Sequence, residues 1–429
     1  MLSSLQYIFK LPDLRKKVLL TLALIAISRI GIFVSIPGID ASGLKALFAV
    51  GSDASNRSLL GFVDLFSGGA LANFSIFSMG IIPYINASII MQLLTVVTPS
   101  LKEMLEEGES GRKMMSQYTR YLAIGLAFFQ AITIAISFLN SNLIQLTSQY
   151  YNPFTFVLTA SITLVAGTAF VMWLAEYITV NGIGNGASLL IFTGIVSRMP
   201  MYINSTKKIM MGPESYIAVG FLILAMLAVI IGIIIVQDAV RKIPVQYAKR
   251  IVGNKMYGGQ ATYIPLKINQ GGVLPVIFAS SVLMFPAMIA HFVPALQFLA
   301  TAFTPGSFWY LGFFAFLIFF FTYFYTAITF NPKELADNIQ KYGGFVLGVR
   351  PGKPTAEFLD HIITRLTFLG ATFLAIIAVM PTITAQITKI NTFVGLGGTA
   401  LLIMVGVALD LMKQIDTVIV NSKYEGLTQ

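Results

Sequence analysis

Residues able to do covalent or acid–base chemistry are few in this chain, and their spacing assembles none of the usual sites. There is no cysteine, which excludes thiol nucleophiles, disulfides and thiolate metal sites. His291 and His361 are the only histidines, and neither belongs to a His-Glu-x-x-His pair. The stretch GVRPGKPT looks superficially like a phosphate-binding loop. The position five before Gly352 is Leu347, however, and Pro354 follows Lys353, so no nucleotide site is expected. Asp410 lies near the end of an apolar segment. An intramembrane aspartyl protease needs a second carboxylate at matching depth, and Glu176 and Asp238 fall at segment ends, so snorkelling or an ion pair suits Asp410 better. Arg29, near the outer end of the first apolar run, is long enough to reach the membrane interface. The chain therefore reads as a protein without an active site, a metal or a cofactor.

What remains is polarity at membrane depth. Leu59–Val97 carries charge only at Asp64 and is interrupted by Gly68-Gly69. At about 1.5 Å per residue it is far too long for one straight span across a core of about 30 Å. It divides into a short apolar helix that enters without crossing and a full span over Ser75–Val97. That span holds Pro83, Asn86, Ser88 and Gln92, and broken, polar segments at this depth are tolerated only against protein or water. Ile81, Ile85, Ser88 and Gln92 share a face at helical spacing, a pattern that ordinary interhelical packing also produces.

The elements around this stretch follow from composition. Of 429 residues 56% are hydrophobic and 11% charged, roughly half the charge of a soluble protein. The fold class is all-α and polytopic, with spans expected at residues 18–36, 75–97, 121–139, 154–174, 187–203, 216–236, 273–293, 308–330, 362–380 and 393–412. The apolar run 18–36 lacks a small-residue cleavage site and reads as a retained first helix. Lys and Arg number 21 on one side and 6 on the other, which makes the first side, with both termini, cytoplasmic. The net charge of +10 thus reports basic loops rather than nucleic-acid readout. Ten spans divide five and five, giving an N-terminal half (1–210) and a C-terminal half (211–429) that insert in opposite senses, with a pathway between them. Two connections, 237–272 and 331–360, are basic and too long for hairpin turns. Their Tyr, Val and Ile content predicts small ordered protrusions, and together they form a docking surface with Arg350 at a turn tip. Contact of the same basic residues with anionic lipid is the blander reading.

Several long motifs stand in order along the chain: RIGIFVSIPGID, LFSGGALANFSIFSMGIIPYINASIIMQLL, EGESGRKMMSQYTRY, GIGNGASLLIF, RKIPVQYAKR, MYGGQATYIPLKINQGGVLPVIFASS and GGTALLIMV. They resemble the bacterial SecY family, the channel-forming subunits of the general protein translocase. The resemblance implies a clamshell of two five-span halves around an hourglass pore in the bacterial inner membrane. By motif match it implies a pore ring of Ile81, Ile85, Ile191, Ile277 and Ile403, with Ala187 where the family commonly has one more isoleucine. It implies a plug within about 61–72, namely Phe62, Val63, Asp64, Leu65, Phe66, Ser67, Gly68 and Gly69. A lateral gate would lie between the spans of Asn86 and Phe285, with Gln92 and Asn185 in polar contact across it. Lys249, Arg250, Lys255, Lys341 and Arg350 would dock a SecA motor ATPase or a ribosome. SecE-like and SecG-like subunits, signal peptides and nascent chains are the other implied partners. A secondary transporter shares broken helices and inverted repeats, but it needs midplane charge or a coupling-ion site, and only uncharged Asn and Gln are on offer here.

Overall fold

The computed structural model describes residues 11–37, 44, 64, 66–140, 152–209, 213–247, 250–252, 255–257, 261–292, 307–388 and 398–428. In chain order the helices begin with α1 (Pro12–Ile30), α2 (Ile82–Val97), α3 (Pro99–Glu106), α4 (Glu109–Asn140), α5 (Pro153–Asn181), α6 (Gly186–Ile209) and α7 (Pro213–Asp238). Strands β1 (Val240–Tyr247), β2 (Arg250–Val252), β3 (Lys255–Tyr257) and β4 (Ala261–Lys267) follow. Then come α8 (Leu274–Phe292), α9 (Phe308–Thr329), α10 (Pro332–Lys341), β5 (Gly344–Val346), α11 (Lys353–Thr388) and α12 (Gly398–Thr428). All but α3 and α10 overlap one of the expected spans. Among them α4, α5, α7, α9 and α11 are each long and apolar enough to cross a membrane, and α2 with α3 forms a pair bent by 106°.

Proline sets several of these boundaries. Pro12, Pro83, Pro99, Pro153 and Pro332 sit in the first two helical positions, where the missing N–H is not needed and φ is already helical. The second span differs from expectation for this reason. Its helix starts at Ile82 rather than Ser75; Ser75 is bridged to Ser35, and Ile76–Ile81 is a run of turns. Pro83 therefore opens the helix and does not kink it. Gly68, Gly69 and Gly80, with φ of 68°, 93° and 54°, turn the chain before it. The strand-like tail of α1 grips this turn region: Ile36 N–H donates to Phe74 O (2.9 Å) and Ile76 N–H to Val34 O (3.0 Å).

The long helices pack in two sets, α1, α2, α4, α5 and α6 in one and α7, α8, α9, α11 and α12 in the other. The sets meet most closely where α2 packs on α8 and α6 on α12. A large buried apolar cluster lies between them, drawing Ile82 and Leu190 from the first set and Val276 and Leu402 from the second.

The two long connections build one structure rather than two. β1 pairs antiparallel with β4, and its other edge takes β5 from the second connection, with Val245 opposite Val346. Ile243, Val245 and Leu266 bury against Ala336, Ile339 and Val346 and against Leu359 and Ile363 at the start of α11. β2 and β3 form a separate hairpin.

Candidate functional site

The five isoleucines of the expected ring come from four helices and one turn: Ile81 just before α2, Ile85 on α2, Ile191 on α6, Ile277 on α8 and Ile403 on α12. The fold brings all five into the cluster between the two helix sets. Their exposures are 3%, 8%, 2%, 3% and 0%. Ala187 is partly buried against the same cluster, one turn before Ile191. These residues belong to both sets, so parting the sets would divide the cluster.

On α6 the stripe continues from Ile191 through Gly194 to Arg198, at spacings of three and four. Gly194 leaves room for the Ser67-Gly68-Gly69 turn: a Cβ placed there would lie 3.0 Å from Phe66 O and 3.4 Å from Gly68 N. Arg198 then forms an ion pair with Asp64, a helical residue that precedes the Gly68-Gly69 turn. The other Asp64 oxygen accepts from Ala72 N–H (2.8 Å), and Ser67 Oγ donates to Asp64 O (3.2 Å). Arg29 approaches from α1. Its Nη1 donates to Ser197 Oγ (3.3 Å) and its Nη2 to Leu190 O (3.4 Å). Arg29 thus points inward over Gly68 and does not run out to the membrane interface as its position in the sequence suggested.

Of the residues expected for a plug, Asp64, Phe66, Ser67, Gly68 and Gly69 gather here. Phe66 joins the apolar cluster that holds the isoleucines. Phe62, Val63 and Leu65 lie outside the described residues. Neither arginine of this site was placed in it from sequence: Arg29 was expected at the membrane interface, and Arg198 was not singled out. The signal was present for Arg198: it shares the helical face of Ile191, with a glycine between them.

The residues expected at a gate are distributed as follows. Asn86 is buried on α2, and its Oδ1 has no hydrogen-bond partner among the described residues. Gln92 Nε2 donates to Ser88 Oγ (3.3 Å) in its own helix, while Asn185 Oδ1 accepts from Ser188 N–H (3.2 Å) at the start of α6. Their hydrogen bonds are local, and the expected Gln92–Asn185 contact is not made. The Phe285 backbone lies in α8, the helix that packs on α2, and its side chain is outside the described residues.

The GIGNG segment closes the α5–α6 corner. Gly182 has no room for a Cβ, which would lie 2.5 Å from Thr21 Oγ1, and Gly186 none either, at 1.9 Å from Ala175 O. Ile183 N–H donates to that same Thr21 hydroxyl (3.2 Å), tying α1 to the corner. In the joined loop structure Lys341 and Arg350 are exposed, the latter at the turn between β5 and α11. Thr355 Oγ1 donates to Arg350 O (2.8 Å), which holds that turn. The Arg250 and Lys255 backbones lie in β2 and β3, and Lys249 is outside the described residues.

A helical membrane bundle with a packed aliphatic waist and a charged turn seated on one wall is the architecture of a gated channel rather than of an enzyme. A profile of the SecY family matches residues 75–412. The protein translocase subunit SecY of Thermotoga maritima is 44% identical over 97% of this chain and 96% of its own length. The chain belongs to the SecY family. In structure it is similar to a SecY channel whose plug domain is described as stabilising the closed state and maintaining a membrane seal. There the TM-score is 0.59 and the identity 17%, over 93% of this chain and 91% of the other. It is also similar to Sec61 in the canine ribosome–channel complex, with a TM-score of 0.56 and 16% identity over 93% and 91%. Members of the family are multi-pass membrane proteins and channel subunits, not enzymes.

Proposed function

We propose that this chain forms a protein-conducting channel in the bacterial inner membrane. Unfolded polypeptide passes between the two helix sets, and apolar segments leave sideways between α2 and α8. The observation that carries this reading is the convergence of Ile81, Ile85, Ile191, Ile277 and Ile403, from both helix sets, into one buried cluster. A narrow aliphatic ring holds water poorly and blocks ions by dewetting, yet it can flex around a chain. The segment that is helical at Asp64, Phe66 and Ser67 and turns at Gly68 acts as the plug, with Phe66 in the same apolar cluster as the ring. The two helix sets act as the leaves of the clamshell, five spans each and inserted in opposite senses, and both termini are cytoplasmic.

The route taken depends on how apolar the arriving segment is. A central Leu or Ile contributes about −0.3 to −0.6 kcal/mol and a central Lys or Asp about +2.5 to +3.5. An apolar signal region of 7–15 residues therefore gains on the order of −5 kcal/mol by entering lipid. A polar segment gains nothing and is threaded across.

The joined strand-and-helix domain built from the two long connections is the docking surface for a SecA-type motor ATPase or a translating ribosome. Arg350 and Lys341 are exposed on it, and Lys249, Arg250 and Lys255 belong to the same connections. The ribosome-bound Sec61 neighbour supports the ribosome as one such partner. SecE-like and SecG-like subunits, signal peptides and anionic lipid complete the set.

The chain has no cysteine of its own, so single cysteines at Ile81, Ile191 and Ile403 give a clean test. A secretory chain stalled in transit crosslinks to all three. If transport proceeds and none of the three crosslinks, the pathway does not pass the cluster.

A further inference from the structure

We propose that Arg198 is a positioning residue that locks the plug with charge, while Arg29 packs over the plug backbone at Gly68. Asp64 is the counter-ion on the plug, and the lock is built wholly within the first helix set. The proposal rests on the plug reading above. The Asp64 side chain is 8% exposed and that of Arg198 14%, so both charges are largely removed from water where they meet. Ala72 N–H holds the second carboxylate oxygen, which aims the first at Arg198. The Gly68-Gly69 backbone passes directly under the two guanidiniums. A Cβ at Gly69 would meet Arg198 Nε at 2.8 Å, and one at Gly68 would meet Arg29 Nη1 at 2.3 Å. Both glycines have positive φ, so absence of a side chain serves the turn and the close approach together.

The placement of the two arginines has a mechanical consequence. Arg29 is on α1 and Arg198 on α6, and both helices belong to the first set, as does the chain segment carrying Asp64. Parting α2 from α8 therefore leaves the ion pair whole. A signal can open the side of the channel while the plug keeps its charge contact, and the entering chain must then displace the plug itself. Once Asp64 is lifted into water-filled space, its attraction to Arg198 draws the plug back. Screening by salt weakens that attraction, with a Debye length of about 8 Å at physiological ionic strength and about 3 Å at 1 M.

The test uses the complete translocase containing this chain, reconstituted into planar bilayers. Asp64→Asn keeps the shape and the Ala72 contact but removes the charge, and Arg198→Gln removes the partner. Each raises resting ion conductance by at least about tenfold, because the plug loses its charge contact with α6. Asp64→Arg combined with Arg198→Asp restores the seal, and Arg198→Lys retains most of it. Reclosing after a translocation event slows with rising salt in the parent and loses that dependence in Arg198→Gln. If Asp64→Asn and Arg198→Gln are as tight as the parent while deletion of Phe62–Gly69 leaks, the lock is wrong and the plug stands. If the deletion itself does not leak, the plug reading fails. Leaky single variants whose reclosing keeps the parent's salt dependence would show a packing role only, and overturn the lock.

Discussion

Gly194 offers a way to push on the plug without touching it. It lies inside α6, so Gly194→Ala improves the helix by about 1 kcal/mol whether the plug is seated or not, and that gain cancels from the seating equilibrium. What does not cancel is the new methyl group. It would lie 3.0 Å from Phe66 O, 3.4 Å from Gly68 N and 3.5 Å from Gly68 Cα, contacts that exist only with the plug in place. The neighbours are backbone atoms of a turn fixed by the Asp64 and Ser67 hydrogen bonds, so they cannot rotate away as a side chain would. Overpacking of this kind costs about 1–3 kcal/mol. The ratio of closed to open channel therefore falls about 5-fold at the low end and about 150-fold at the high end. Gly194→Val adds two more carbons and lies at or beyond the high end. Resting conductance of the reconstituted channel should rise in the order parent, Ala, Val. Gly220→Ala on α7, where an added Cβ meets nothing within 4 Å, is the control and leaves conductance unchanged. If Gly194→Val stays as tight as the parent while plug deletion leaks, the plug does not rest against α6.

Two further outcomes follow from the same geometry. Asn86 is buried with an Oδ1 unpaired among the described residues, at a cost of about 1–3 kcal/mol, and Asn86→Leu removes that cost from the closed α2–α8 seam. At about 0.5 kcal/mol per leucine, a test segment then needs roughly two to six more leucines to partition into lipid; an unchanged midpoint in an insertion series would remove Asn86 from the gate. Arg350→Glu reverses an exposed charge while the Thr355 bond to its backbone carbonyl persists. Motor- or ribosome-linked transport should fall about tenfold or more with no change in thermal stability, and normal transport would reduce Arg350 to a topology signal.

Hydropathy marks how deep a residue sits and says little about which way it faces. That is why the apolar segments and the long motifs were legible in the sequence, while Arg29 was expected at the interface and instead turns inward to Leu190 O and Ser197 Oγ. The second span was placed seven residues early because Ser75–Ile81 is apolar enough for a helix. The turns there come from Gly80 and from pairing with the tail of α1, a contact some forty residues away in sequence. Distance also hid the joining of the two long connections. Each reads as strand and turn, but nothing local in either announces that β1 pairs with β5 across about a hundred residues. The Gln92–Asn185 contact was inferred from two amides with matching chemistry. Each found a nearer partner, one helical turn away for Gln92 and at the α6 start for Asn185.

The closing devices are small individually, and a channel that must yield to its cargo needs them to be so. Polar contacts across membrane helices average about 0.6 kcal/mol, which a signal worth on the order of −5 kcal/mol overwhelms. A seam held only by such contacts would open for any moderately apolar segment and would leak whenever it did. In the proposed function the two tasks are separated. The seam between α2 and α8 belongs to both helix sets and answers to hydrophobicity. The plug, on the proposed lock, is held by Arg198 on a single set and answers to physical displacement by a chain in the pore. An apolar segment that opens the side without entering the waist therefore leaves the ion seal in place, and only a polypeptide threading past Ile191 and Gly194 reaches the residues that release it.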